Sequence, residues 1–96
     1  MPRKRLSREL WIGKRVTVLE RDGYECVRCQ TTLTEQTAHI DHIVSGKLAT
    51  NEMSNLRALC RRCHVLRADH RHRGMTAKAL RDGLIPANWR ELVWEG

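Results

Sequence analysis

Residues 37–44 read "TAHIDHIV". Polar and apolar side chains alternate there, the pattern of a short strand whose two faces meet different surroundings. The alternation puts His39, Asp41 and Ile43 on one face and Ile40 and His42 on the other. Adjacent Asp41 and His42 therefore point apart, and simple projection cannot bring both to one ion. Two Cys-x2-Cys pairs, Cys26/Cys29 and Cys60/Cys63, bracket the stretch.

Those pairs supply a frame. A Cys-x2-Cys turn presents two sulfurs to one ion, and four thiolates around Zn²⁺ make a closed, structural tetrahedral site. Thirty residues separate Cys29 from Cys60, more than the about 15–20 of compact zinc ribbons, so a functional insertion is expected between them. A 96-residue chain with four aromatics has a lean apolar core, and chains this short often need such a staple.

Outward from the frame, "SRELWIGKRVTVLERDG" reads as a helix capped by Ser7 and stopped at Asp22-Gly23. Leu10, Trp11, Val18 and Leu19 form its apolar stripe, with Trp11 read as a core residue. "LRALC" returns as a second strand, and "RRCHVLRADHRHR" reads as a helix running to Gly74. The remainder divides at Gly83 and Pro86 into a short helix over about 76–82 and another beginning near Pro86 or Ala87. Leu92, Val93, Trp89 and Trp94 are expected to pack this tail onto the domain. Residues 1–7 read as a flexible basic arm, and 8–96 as one domain.

Charge points to a partner. Eighteen Lys+Arg against eleven Asp+Glu give a formal +7, and Arg, the dominant cation, suits bidentate phosphate contacts. The arm Arg3, Lys4 and Arg5 and the residues Arg61, Arg62, Arg67, Arg71 and Arg73 are candidate DNA backbone contacts. Such contacts position without specifying, so weak sequence preference is expected. No stretch approaches the about 18 apolar residues of a membrane span. No apolar segment follows the basic N-terminus as in a signal peptide, so no membrane partner and a cytoplasmic location are expected. Reduced thiols there favour metal over disulfides.

His64, directly after Cys63, completes a chemical set. The cysteine frame brings it toward the strand, where Asp41 and His64 can hold one divalent ion and leave positions open for a phosphate oxygen. His42, on the other side, remains as a base. His39 shares the face of Asp41 and is either a further ligand or a polar residue holding that carboxylate. His70 and His72 read as exposed phosphate contacts or solvated residues.

Asp41-His42-Ile43, Asn55-Leu56 and Leu59-Cys60-x2-Cys63-His64 resemble the HNH endonucleases, and Cys26 and Cys29 resemble the zinc-binding subset of that family. The resemblance spans about residues 11–67 and includes "VLERDGYECVRC". It implies an α+β fold: a zinc-stabilised ββα-metal finger over about 37–73, with an N-terminal helix and a short helical tail. It implies His42 as general base, Asp41 and His64 as ligands of catalytic Mg²⁺, Mn²⁺ or another divalent ion, and Asn55 as the residue orienting the base-bearing strand. Arg67 matches a position where the family often has a phosphate-contacting residue. DNA cleaved to 5′-phosphate and 3′-hydroxyl ends is the implied reaction, in a bacterial or phage-infected cell. The chain would act alone, as a homodimer, or within a phage packaging or restriction assembly. Ser45 stands where many members have Pro, and the following loop holds only Gly46, which alters the loop path rather than the chemistry. A catalytically silent zinc module binding nucleic acid is the competing class, but it has no use for Asp41, His42, Asn55 and His64 together.

Overall fold

The computed structural model describes residues 7–44, 48–67 and 73–94. Helix α1 covers Arg8–Arg21, and Ser7 caps it by accepting from the Leu10 N–H at 3.3 Å. Its end is a Schellman turn: Gly23, at φ 71°, donates to Glu20 O and Tyr24 to Leu19 O. A left-handed residue is required there, and glycine adopts that conformation without a Cβ clash.

Strand β1 (His39–His42) pairs antiparallel with β2 (Leu56–Leu59), in the register His39 to Leu59, Asp41 to Arg57 and His42 to Leu56. A 3-10 turn, Met53–Asn55, leads into β2. Helix α2 (Arg61–Val65) follows directly, with the Cys60 sulfur accepting from the Cys63 N–H. The order is therefore strand, strand, helix. Helix α3 (Arg73–Arg81) and a 3-10 turn (Trp89–Leu92) complete an α+β chain.

Two apolar clusters hold these elements. Val18 and Leu19 of α1 pack with Leu33, Leu56, Ala58 and Leu59 under the hairpin. Val65, Leu66, Ala79 and Ile85 form the second cluster, between α2 and α3. Trp94 packs against both. Polar stitches fix α1 across the hairpin: Arg15 donates to Ala38 O at 3.0 Å, and Asp22 accepts from the Ala58 N–H at 2.9 Å. Among the described residues, no helix is long and apolar enough to cross a membrane.

Three expectations are corrected. The helix read as running to Gly74 stops at Val65: the Arg67 N–H turns back to His64 O, three residues away, at 3.3 Å, and Leu66 O accepts from the Trp94 N–H at 3.0 Å. Gly74 lies inside α3, whose end is set by Gly83 at φ 70°. Among the described residues the tail after Pro86 forms a 3-10 turn rather than a helix, with Leu92 and Val93 exposed, and it is fastened by Trp89 and Trp94. Leu10, placed on the buried stripe of α1, is exposed as well. Arg3, Lys4, Arg5, His70, Arg71, His72 and the side chain of Arg73 lie outside the described residues.

Candidate metal and phosphodiester site

Each cysteine pair sits on a turn built by backbone bonds. The first pair is shaped by Cys26 N–H to Thr31 O (2.9 Å) and Gln30 N–H to Cys26 O (2.8 Å), with Gln30 left-handed at φ 64°. A bond from the Val27 N–H to Ala58 O at 3.0 Å ties this turn to β2. The second pair brackets the start of α2. All four sulfurs lie within 4.8 Å of one another, with Cys29 and Cys60 at 3.7 Å. Zn–S bonds of about 2.3 Å at tetrahedral angles put sulfurs about 3.8 Å apart, so the set fits that ion.

Thiol chemistry agrees. The Thr31 hydroxyl, 3.1 Å from Cys29 Sγ, holds that thiol down to about 6. Burial pushes Cys60 and Cys63 upward. One ready thiolate beside reluctant thiols is the situation a divalent cation resolves, because binding favours the deprotonated form of all four.

Asp41 is the buried centre of the second constellation, at 2% exposure. Its Oδ2 accepts from Arg57 Nε at 2.8 Å, and its Oδ1 accepts from Arg67 Nη1 at 2.9 Å. His64 Nε2 lies 3.4 Å from the same Oδ1. Burial alone would raise this carboxyl, but the His64 and Arg57 contacts and the two guanidinium charges outweigh it and hold the pKa below the ordinary value. A separation of 3.4 Å between carboxylate oxygen and imidazole nitrogen can be spanned by ligands of one ion with bonds of about 2.1 Å.

The remaining residues divide around β1. His39 Nδ1 meets His64 Nδ1 at 2.8 Å with the rings edge-on. His39 thus contacts the imidazole of His64, a partner that strand alternation alone did not suggest. Among the described residues, only the cysteines bring three or more metal-ligand atoms within 4.8 Å. His42 lies on the opposite side. Its Nε2 is 2.9 Å from Asn51 Oδ1, and its ring stacks on Trp11 with centroids 6.0 Å apart and planes 2° from parallel. Asn55, buried, accepts from the Val44 N–H at 2.7 Å and donates to Val44 O and Thr50 O. Its own carbonyl accepts from the Ile43 N–H at 2.9 Å, so Asn55 pins the exit of β1 immediately after His42.

The arginines separate into inward and outward sets. Arg67 turns in: besides Asp41 it donates to His42 O at 2.8 Å and to Ile43 O, which differs from the phosphate-facing orientation expected from sequence. Arg57, absent from the sequence candidates, is its counterpart on β2 and stacks on Trp94. Arg61 pairs with Asp82 at 2.7 Å on the surface, and Arg62 is exposed. Trp94 also donates Nε1–H to Cys63 O at 2.7 Å. Cross-strand register would have suggested Arg57 opposite Asp41 had β2 been aligned. Trp11, Asn51 and Trp94 act through contacts distant in sequence that no local pattern announces.

A strand–strand–helix unit beside a four-cysteine cluster that could hold a metal ion places Asp41, His42, Asn55 and His64 around β1. Residues 26–70 match the family model described as HNH endonuclease. The chain is also 40% identical over 52 residues to "CRISPR-associated endonuclease Cas9" of Actinomyces naeslundii, covering 52% of this chain and 5% of that protein. It therefore spans about a twentieth of the length of that curated relative. No solved structure matches.

Proposed function

We propose that this chain is a metal-dependent DNA endonuclease of weak sequence specificity, leaving 5′-phosphate and 3′-hydroxyl ends. The observation carrying the reading is the division of β1: Asp41 meets His64 on one side, while His42 stands apart on the other with its own orienting partners. A base kept off the ion retains a lone pair for water, which a ligand would surrender. Asp41 and His64 would hold a divalent ion such as Mg²⁺ or Mn²⁺, which when bound stabilises charge on the phosphate and the leaving oxygen. The four cysteines would hold a structural Zn²⁺.

His42 takes a proton from water as general base. Asn55 keeps the strand behind His42 from shifting. His39, hydrogen-bonded through Nδ1 to His64 Nδ1, steadies the His64 ring so that Nε2 faces Asp41, the service outer hydrogen bonds give metal-binding histidines. Arg62, Arg61 and the basic arm Arg3-Lys4-Arg5 supply backbone phosphate contacts. The likeness to a small part of a much larger endonuclease supports a second arrangement, in which the finger works within a larger assembly that delivers the DNA.

The test is plasmid nicking with and without chelator. His42→Ala should lower cleavage by roughly 10²–10⁴-fold while DNA binding persists. Asp41→Ala should be partly rescued by raised Mg²⁺ or Mn²⁺, and His42→Ala should not. Metal rescue of His42→Ala would mean that ligand and base are exchanged, and DNA binding without chelator-sensitive nicking by the unmodified chain would leave only a zinc-stabilised binding module.

A further inference from the structure

We propose that the tail residue Trp94, outside the residues 26–70 that match the family model, is a positioning residue for the Asp41–His64 pair. Its indole and its peptide N–H set where α2 ends and where the arginines on Asp41 stand. The proposal rests on the reading of Asp41 and His64 as the holders of the catalytic ion.

A helix leaves its last carbonyls without donors of its own. In α2 the Arg67 N–H, which would reach Cys63 O if the helix continued, turns to His64 O at 3.3 Å. Trp94 supplies donors in its place. Its Nε1–H donates to Cys63 O at 2.7 Å, and its peptide N–H donates to Leu66 O at 3.0 Å. His64 lies between those two carbonyls in the chain, so the segment that carries its ring is gripped on both sides. Arg67 then leaves the helix in a parallel bridge with Trp94, and from there its side chain donates to Asp41 Oδ1 at 2.9 Å.

The face of the indole acts on the other oxygen of the carboxylate. The Arg57 guanidinium carbon lies 5.0 Å from the ring centroid, within cation–π range, while Arg57 Nε donates to Asp41 Oδ2 at 2.8 Å. Arg57 Nη2 is buried and has no hydrogen-bond partner among the described residues, which leaves the ring as the surface that fixes the guanidinium plane. One side chain thus holds the helix that bears His64, the backbone of one arginine on Asp41, and the side chain of the other. Packing alone would need only an apolar ring of this size. It would not need an N–H aimed at Cys63 O.

The experiment measures Mn²⁺ binding to the zinc-loaded full chain by electron paramagnetic resonance without DNA, beside nicking kinetics, at a temperature where circular dichroism shows each variant folded. Trp94→Phe keeps a ring for packing and for Arg57 but leaves Cys63 O without its donor, whereas Trp94→Ala removes both. The Mn²⁺ dissociation constant should rise by about 10-fold in Trp94→Phe and about 100-fold in Trp94→Ala, the range for loss of groups that orient metal ligands. In both variants kcat should fall, KM for DNA should change little, and the zinc should be retained. A residue that only stabilised the fold would lower Tm and leave Mn²⁺ affinity and kcat alone. Unchanged Mn²⁺ affinity and kcat in folded Trp94→Phe would therefore overturn the proposal, whether or not Trp94→Ala folds, while Asp41→Ala still lost Mn²⁺. Unweakened Mn²⁺ binding by Asp41→Ala would instead overturn the ligand assignment, and the proposal with it.

Discussion

Arg67 offers the sharpest test of the structure, because sequence and coordinates give it opposite duties. Facing DNA, its loss would weaken binding and leave the fold alone. In the structure its side chain is 9% exposed and donates to Asp41 Oδ1, His42 O and Ile43 O. Arg67→Ala removes all three bonds and leaves Asp41 with Arg57 as its remaining guanidinium partner at 2.8 Å. Breaking a buried ion pair costs about 3–5 kcal/mol, and the retained Arg57 contact argues for the lower end, about 3 kcal/mol. For a domain of this size each kcal/mol moves Tm by about 4–8 °C, so a fall of roughly 12–24 °C is expected. Thermal unfolding of the zinc-loaded protein, followed by circular dichroism, reads it directly. The loss should also depend on pH with a definite sign. The folded-state pKa of Asp41 is lowered, so its contribution is full above the unfolded carboxyl value near ~3.9 and is lost as pH falls through the folded value. The gap between native and variant protein should therefore narrow in acid. A Tm change under about 4 °C, together with a flatter salt dependence of DNA binding, would show that Arg67 faces the phosphate backbone and that the inward ion pair is wrong.

Other consequences can be checked separately. Purified protein should carry about one Zn²⁺, and Cys60→Ser should lose both metal and fold, since a four-thiolate site supplies about 10 kcal/mol or more of binding to folding; a well-folded sample free of zinc on elemental analysis would refute this. Arg62→Ala should reduce the slope of log K against log salt by about 0.9 on duplex DNA, equally for all sequences; a sequence-selective loss would point to base reading instead. Asn55→Ala leaves the Val44 N–H, Val44 O and Thr50 O without their partner, so a loss of about 2–3 kcal/mol in denaturant unfolding is expected, and nicking should fall with it.

Legibility from sequence followed the range of the interactions involved. Ser7 and Gly23 marked the ends of α1 because capping is decided within one turn of chain. The Cys-x2-Cys spacing announced the sulfur cluster because two ligands on one knuckle is a local geometry. Alternation along residues 39–42 separated Asp41 from His42 for the same reason. The failures are long-range. Nothing near Leu66 says that its carbonyl accepts from Trp94 at 3.0 Å and so helps end α2 after five residues. Helical spacing put Leu10 on the buried stripe, but the hairpin covers only the later part of α1, where Val18 and Leu19 are fully buried. Arg67 read as a phosphate contact because an arginine beside a nuclease motif is ordinarily solvated. Its inward course follows from a buried carboxylate that could be located only once β1 and α2 were packed together.

The placement of α2 explains why the cysteine cluster and the Asp41–His64 pair share one small unit. Cys63 and His64 are consecutive, so on a helix they project about 100° apart. One turns to the sulfur cluster and the other to Asp41. A five-residue helix has no stability of its own, because nucleation costs more than so few bonds return. Its position must come from what grips it. The Cys60 sulfur caps its start, and Trp94 binds its far side through Cys63 O and Leu66 O. Trp94 also lies under the guanidinium groups of Arg28, beside the first knuckle, and Arg57, which holds Asp41. Cysteine frame, tail and carboxylate are thus coupled through one helix and one indole. The distance from His64 to Asp41 is fixed by the sulfur cluster as much as by the strands, and anything that loosens the cysteines moves His64 away from its carboxylate.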